Sequence, residues 1–267
     1  MNLGLTMNNP GETVLITGAS SGIGLELARC FALDKCHLVL TARNRPALEA
    51  LALELRQKHG ITVDVLEADL ASEKAPRMIF DELKGRGINV DILVNNAGFG
   101  AMGEFVTLPL ERQLKMIRVN VSALVNLTGL FLPGMLQRQR GGVLNVGSLA
   151  GFQPGPGMAV YFATKAFVLS FTEALREECR DRPIIITAFC PGSTQTNFGQ
   201  VARNGRERKH QVSKMSASDV AQIGHKQFRE GREIVIPGAK NRLIPYLLRI
   251  MPRALTRRIV WHINQEK

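Results

Sequence analysis

Tyr161 and Lys165 stand four residues apart in Met158–Glu178, a stretch whose pattern reads as a helix, so their side chains share a face. A phenol ionises near pH 10, and a cation beside it favours the phenolate and makes it a usable proton donor and acceptor. Ser148 follows an apolar run, Gly142–Gly147, and its hydroxyl is suited to donate to an oxygen that is gaining negative charge. This trio fits a reaction in which hydride arrives at a carbonyl carbon and the oxygen takes up a proton. Taken alone, Tyr161 and Lys165 are also an ordinary neighbouring pair on a helix.

A second group of residues is suited to hold an anion. Thr13–Thr17 reads as a strand and runs directly into Gly18-Ala19-Ser20-Ser21-Gly22-Ile23-Gly24, which opens a helical stretch, Gly22–Ala32. Glycines let the backbone turn tightly and approach a pyrophosphate, and the N–H groups and dipole of the following helix favour negative charge. The spacing is Gly-x3-Gly-x-Gly, which departs from the common dinucleotide fingerprint. A sharp strand–helix contact is the plainer explanation of such a turn. After the second strand an NAD site would place an acid about 20 residues beyond the loop. Arg43 stands there instead, with Asn44 and Arg45 behind it. A guanidinium suits a 2′-phosphate, so the reading favours NADP(H); the plainer alternative is a solvated arginine at a strand end.

The elements that must position these groups follow a regular β-then-α order. Strands are expected at Thr13–Thr17, His37–Ala42, Thr62–Glu67, Asp91–Asn95, Gly142–Gly147, Ile184–Phe189 and Glu233–Ile236. Most are unbroken Val/Ile/Leu runs, the pattern of strands buried on both faces. Helices are expected at Gly22–Ala32, Arg45–Lys58, Ala71–Lys84, Leu110–Leu132, Met158–Glu178 and Ser218–Glu230. The order predicts an α/β fold: a doubly wound, Rossmann-like parallel sheet of about seven strands with helices on both faces. A single domain is expected over 1–267, with a basic amphipathic extension at about 240–267.

The chain has 267 residues and a formal charge of +11, a balance that favours anionic partners without naming one. Four cysteines, Cys30, Cys36, Cys179 and Cys190, form no close pair, so reduced, partly buried thiols are expected, and no metal site. MNLGLTMNN lacks the basic and apolar regions of a signal peptide, and no apolar run reaches the ~18 residues of a membrane span. These features place the protein in the cytoplasm or at a membrane surface.

Several motifs in order resemble the short-chain dehydrogenase/reductase family, in its single-domain, NADP-preferring branch. Thr17–Gly24 (TGASSGIG), Asn95–Gly98 (NNAG), Ser148, and Tyr161-x3-Lys165 match family motifs, and twelve residues separate Ser148 from Tyr161. The resemblance implies Tyr161 as general acid/base, with Ser148, Lys165 and Asn120 completing the catalytic set, Asn120 holding a water that links the lysine to solvent. It implies a cofactor site made of Gly18, Ser20, Ser21, Gly22, Ile23, Gly24, Arg43, Asp69, Leu70, Asn96, Ala97, Gly98, Tyr161, Lys165, Pro191, Gly192, Thr194 and Thr196. It also implies a homodimer or homotetramer. Singly, Asn120 reads as a helix residue bonding its own backbone, and Asp69 as a helix cap.

Phe99, Phe152, Gln153 and Met158 are expected to line the substrate pocket, with Met102 beside them, which suggests a lipophilic carbonyl or alcohol. GFQPGPGMAV is read as irregular. From about Asn197 to Ala217 a long basic loop is expected, with Arg203, Arg206, Arg208, Lys209 and Lys214 either solvated or receiving an acidic carrier. The tail shows two proline-started helical stretches. Its apolar residues suit core packing, a subunit contact, or an anionic membrane surface. A nucleotide-binding regulator that has kept the fold is the competing function. Nucleic-acid binding is not expected, because no basic stripe is interleaved with aromatics.

Overall fold

The computed structural model describes residues 11–202 and 215–265. Seven strands, all paired in parallel, run in the order β3-β2-β1-β4-β5-β6-β9. They are β1 (Thr13–Thr17), β2 (His37–Ala42), β3 (Val63–Glu67), β4 (Ile92–Asn95), β5 (Gly142–Val146), β6 (Ile185–Phe189) and β9 (Ile234–Val235). Two short strands, β7 (Thr194–Gln195) and β8 (Met215–Ser216), pair apart from the sheet. The order reverses between β1 and β4, and in such sheets the ligand crevice lies outside the strand C-termini at that point.

Alternation along each strand explains the two covered faces. Val14, Ile16, Leu38, Leu40, Ile92 and Val94 point into one core. There they meet Leu27 and Phe31 of α1 (Gly22–Leu33), Leu48 and Leu55 of α2 (Arg45–His59), and Val220 and Phe228 of α8 (Ala217–Arg229). Leu15, Val39, Leu93, Val143 and Ile186 point into the other. Their partners are Ile79 and Leu83 of α3 (Ala75–Gly85), Leu127 and Phe131 of α5 (Ala123–Arg138), and Leu175 of α6 (Ala159–Glu178). Each such side chain taken from water contributes about 1.5–3 kcal/mol, so the unbroken apolar strands account for the two-faced sheet.

Several boundaries differ from the sequence reading. The helix expected from Ala71 begins at Ala75, because Asp69 takes the preceding backbone: its carboxylate accepts from Ala71 N and its carbonyl from Ser72 N. The stretch expected to end at Leu132 runs on to Arg138 as α4 (Leu110–Ile117), a π-helical turn (Arg118–Ser122) and α5. By length and composition that stretch, Leu110–Arg138, could cross a membrane, but half of its apolar window is buried in the fold. Of the stretch read as irregular, GFQPGPGMAV, Gly151 and Phe152 close a 3-10 helix (Leu149–Phe152) and the last two residues open α6. The loop read from Asn197 contains α7 (Phe198–Ala202) and ends in β8, while Arg203, Arg206, Arg208, Lys209 and Lys214 lie outside the described residues. In the tail, α9 spans Ala239–Ile250 and α10 spans Arg253–Gln265. Pro245 therefore lies inside α9 instead of starting it, and only α10 follows a proline, Pro252.

Candidate active site

β5 delivers Ser148 to the C-terminal edge of the sheet in extended geometry, where its Oγ caps the 3-10 turn by accepting from Ala150 N at 3.1 Å. α6 brings Tyr161 beside it, near enough for the Ser148 hydroxyl to act on the phenol; the hydroxyl's own donation is a long one, to Pro191 O at 3.5 Å. One turn on, Lys165 is buried; its Nζ donates to Val146 O at 2.7 Å and stands 6.0 Å from the Tyr161 ring centroid. The three groups expected to converge are thus brought together.

The electrostatics differ from the expectation that the lysine lowers the phenol. Burial pushes Tyr161 up to about 12, opposed only by its bond to Ser148. Burial also drives Lys165 down to about 8. Nζ is held on a backbone carbonyl, and desolvation sets the direction for both groups. The Cys190 thiol, fully buried and itself pushed up to about 12 by burial, lies against both Lys165 and the Ser148 backbone.

Asn120 sits in the π-helical turn, a feature that marks a shifted backbone bonding pattern. Its side chain exchanges bonds of 3.1 Å with both the N–H and the carbonyl of Phe99 and donates to Thr164 Oγ1 at 3.0 Å. That hydroxyl in turn donates to Tyr161 O at 2.7 Å. Asn120 therefore clamps the chain leaving β4 onto α6.

The glycine turn is built for close approach. Gly18 has φ +66°, and a Cβ there would lie 2.9 Å from Ala97 Cα. A Cβ on Gly24 would strike Asn96 Nδ2 and come within 2.5 Å of Gly18 O. Asn96 straps this turn, donating to Thr17 O at 2.8 Å and Gly18 O at 3.2 Å. Thr17, which the sequence reading passed over, receives Asn96 N and Ala97 N, both at 2.9 Å, and so docks the exit of β4 onto β1. Ser21 makes no side-chain cap on α1, which leaves the first-turn N–H groups of Gly22, Ile23 and their neighbours for an anion. Across the turn, Thr196 Cγ2 lies 3.1 Å from where a Gly22 Cβ would be. Thr194 donates to Gly192 O at 3.0 Å, so the Pro191–Thr196 segment folds back over the glycine turn.

Arg43 is exposed at the end of β2 and, among the described residues, forms no ion pair; it helps to hold the Asp69 carboxyl low. Asp69 pairs with Lys115 at 3.2 Å. The Leu70 side chain is buried in the second core, so only its backbone borders the crevice. A cradle that any Cβ would fill, an uncapped helix start and an uncommitted guanidinium together fit a dinucleotide with a phosphate beyond its ribose.

An apolar wall stands over Tyr161. Ala101, Met116, Ala150, Met158 and Ala202 form one cluster with it, joined by Phe99, Met102, Leu108, Phe162 and Phe198. Phe198 was missed in the sequence; its ring centroid lies 5.3 Å from that of Tyr161. A Cβ on Gly100 would meet Phe198 at 3.0 Å and Met158 at 3.2 Å, so a bare glycine is what lets this wall close. Phe99 and Met158 are placed as expected. Phe152 is not: it packs with Leu169, Ala188, Cys190, Ile234 and Ile236. The 3-10 turn explains the difference, since it rotates Phe152 away from Met158. Gln153, half-buried and extended, ends that turn.

The short chain dehydrogenase profile matches residues 12–207. The chain belongs to the short-chain dehydrogenase/reductase family. It is 37% identical over 202 residues to an NADP-dependent 3-hydroxy acid dehydrogenase of Schizosaccharomyces pombe, covering 74% of this chain and 78% of that one. It is 38% identical over 180 residues to a very-long-chain 3-oxoacyl-CoA reductase of Laccaria bicolor, covering 66% of this chain and 53% of the relative. A short-chain dehydrogenase from Sphingobium yanoikuyae, solved with NADPH, superposes with a TM-score of 0.79 at 32% identity over 91% of this chain and 97% of that one. This member of the family is an oxidoreductase, and its sheet, glycine turn and Ser–Tyr–Lys cluster stand where the family motifs in the sequence put them.

Proposed function

We propose that the protein is an NADP(H)-dependent carbonyl reductase, or the alcohol dehydrogenase that runs the same reaction in reverse, acting on a lipophilic ketone or aldehyde. The observation that carries this reading is the convergence of the Tyr161 phenol, Ser148 and a buried Lys165 beneath an apolar wall. Gly18, Ser20, Ser21, Gly22, Ile23 and Gly24 would hold the pyrophosphate; Arg43 the 2′-phosphate; Asp69, Leu70, Asn96, Ala97 and Gly98 the adenosine side; and Pro191, Gly192, Thr194 and Thr196 the nicotinamide side. When bound, the nicotinamide supplies or accepts the hydride. Ser148 donates to the substrate oxygen as charge grows there, and Tyr161, protonated at every working pH, hands over its proton. Lys165 holds a ribose hydroxyl and supports the phenolate that results. Asn120, held in the π-helical turn, would hold the water that returns a proton to this pair.

Arg43 and the NADPH-bound relative support the cofactor choice. Phe99, Met102, Met158 and Phe198 support a lipophilic substrate. Leu114, Ile117, Val125 and Phe167, each 38–41% exposed on α4, α5 and α6, support a homodimer or homotetramer formed through that face.

The test is NADPH oxidation against ketones, aldehydes and 3-oxoacyl thioesters, repeated with Tyr161→Phe and Arg43→Asp. Tyr161→Phe is expected to keep NADPH binding and lose at least about a hundredfold in kcat. Arg43→Asp is expected to shift the NADPH/NADH preference toward NADH by at least about tenfold. Tight NADPH binding with no turnover on any carbonyl would favour a nucleotide-binding regulator instead.

A further inference from the structure

Between Ala239 and Gln265 the chain carries Lys240, Arg242, Arg249, Arg253, Arg257 and Arg258 and no carboxylate. Among the described residues none of these cations forms a close ion pair; Arg249 lies within electrostatic reach of Glu173, and Arg242 donates to Ile236 O at 3.3 Å. The apolar residues between them are not taken up by the core. α9 buries no residue, and Leu243, Tyr246, Leu247 and Ile250 are 61%, 69%, 53% and 82% exposed. At helical spacing those four fall within an arc of about 100°, with Lys240 on one flank and Arg242 and Arg249 on the other. Ile244 and Leu248 take the inward side. α10 repeats the arrangement: Thr256 and Val260 are buried, while Leu255, Ile259 and Ile263 are 40–48% exposed and Arg258 stands beside them.

A helix made only to pack would turn its apolar stripe inward, as α1 and α8 do. A surface for nucleic acid would need the cations and not seven exposed apolar side chains between them. Apolar side chains flanked by unpaired cations are what an anionic lipid surface takes up, the chains entering the acyl boundary and the cations meeting phosphates. A second copy of this chain brings the same positive charge to the contact, and Leu114, Ile117, Val125 and Phe167 on α4, α5 and α6 already offer it an apolar face whose flanking Glu111 and Arg118 are paired.

The two helices also border the substrate pocket. Asn264 donates to Pro156 O at 2.8 Å, and Trp261 stands 3.7 Å from the Cβ position of Gly157. An open hollow of about 470 Å³ lies between Pro156 and Ala254, Arg257, Arg258 and Trp261. Gly157 is followed directly by Met158, which forms the wall over Tyr161. α9 starts at the nicotinamide-side segment, with Asn241 Nδ2 2.7 Å from the Cβ position of Gly192.

We propose that α9 and α10 form a platform that docks the enzyme on an anionic phospholipid bilayer, with the pocket entrance at the lipid boundary, so that the substrate is drawn from the membrane. The docking stands on the tail alone; the substrate supply rests on the carbonyl-reductase reading.

The test is co-sedimentation of the full chain with vesicles of phosphatidylcholine, with and without about 30% phosphatidylglycerol. The comparison variant is Leu243→Ser/Leu247→Ser/Ile250→Ser, which alters only exposed positions; its folding is checked by thermal melting and NADPH binding. The wild type is expected to bind anionic vesicles at least about tenfold more tightly than neutral ones, to release in about 0.5 M salt, and to lose at least about tenfold in the triple variant. No association at low salt, or a variant that binds like wild type, overturns the platform. A triple variant that drops one oligomeric step in sedimentation, with no vesicle binding by wild type, assigns the stripe to a second copy. With a long-chain ketone, anionic vesicles are expected to lower KM for wild type and not for the variant, while a short ketone is unmoved. Vesicle binding without turnover of any carbonyl sinks the enzymatic reading and leaves the platform standing. Binding with an unmoved long-chain KM overturns the substrate supply.

Discussion

Lys165 carries the pH dependence of this site. Its ammonium, buried and held on Val146 O, is pushed down to about 8, so it is charged below that pH and neutral above it. Tyr161, pushed up to about 12, keeps its proton throughout the working range. In the reductive direction the acid is therefore always loaded, and what fails on raising pH is the cation that holds the ribose and steadies the new phenolate. The kcat/KM for NADPH, which reports the free enzyme, is expected to be level below neutrality. Above pH 8 it is expected to fall by roughly tenfold per unit. A level profile up to pH 10 would mean that the Lys165 charge is not required. Cys190 belongs to the same pocket of chemistry but gives no sign of itself in sequence: a thiol before Pro191 looks like any buried cysteine until its place behind Lys165 is seen.

At the level of elements, the glycine turn and the Asn96 strap are one device, because the room each needs is the room the other leaves. Gly24→Ala puts a methyl group onto Asn96 Nδ2 and within 2.5 Å of Gly18 O. The strap must let go and the turn must open, so NADPH Kd is expected to rise at least about tenfold, with a lower Tm. Gly60, with φ +64° and nothing within 4 Å of its Cβ position, only caps α2. Gly60→Ala is expected to cost about 1 kcal/mol of stability and leave NADPH binding unchanged, which isothermal titration of both variants would show. Equal effects would separate the cofactor site from the turn. The strands were legible because burial on both faces writes itself as unbroken apolar runs, and Tyr161 and Lys165 because a helix fixes their spacing. Phe198 and Thr17 were not, since a ring across 37 residues and a hydroxyl receiving two amides from β4 leave no local pattern. The inward or outward choice in the tail was likewise closed to periodicity, which gives a stripe but not what covers it.

For the molecule as a whole, the N-terminal end of the strands, opposite the active site, is closed by ions. Arg229 of α8 reaches Glu12 before β1 at 2.7 Å and Asp34 after α1 at 2.7 Å, and its guanidinium lies 5.2 Å from the Phe31 ring centroid. His225 Nε2 donates to the same Asp34 oxygen at 2.8 Å. Burial alone would raise Asp34, but its bonds to His225 and Arg229 hold it below the ordinary carboxylate value, while burial leaves Glu12 raised. A depressed carboxyl stabilises the fold above its unfolded pKa, and that contribution is lost as pH falls through the folded value. Arg229→Leu strands two buried carboxylates, which costs about 3–5 kcal/mol, or roughly 10 °C in Tm for a domain of this size. The deficit is expected to be full at pH 7.5, where both carboxylates are charged, and smaller at pH 4.5, where Glu12 takes up a proton and no longer needs a partner. Because the cluster is remote from Tyr161, kcat of the folded variant at low temperature should match wild type. Thermal unfolding at the two pH values checks the sign, and a deficit that grows in acid would show that the arginine holds α8 by packing on Phe31 and not by charge.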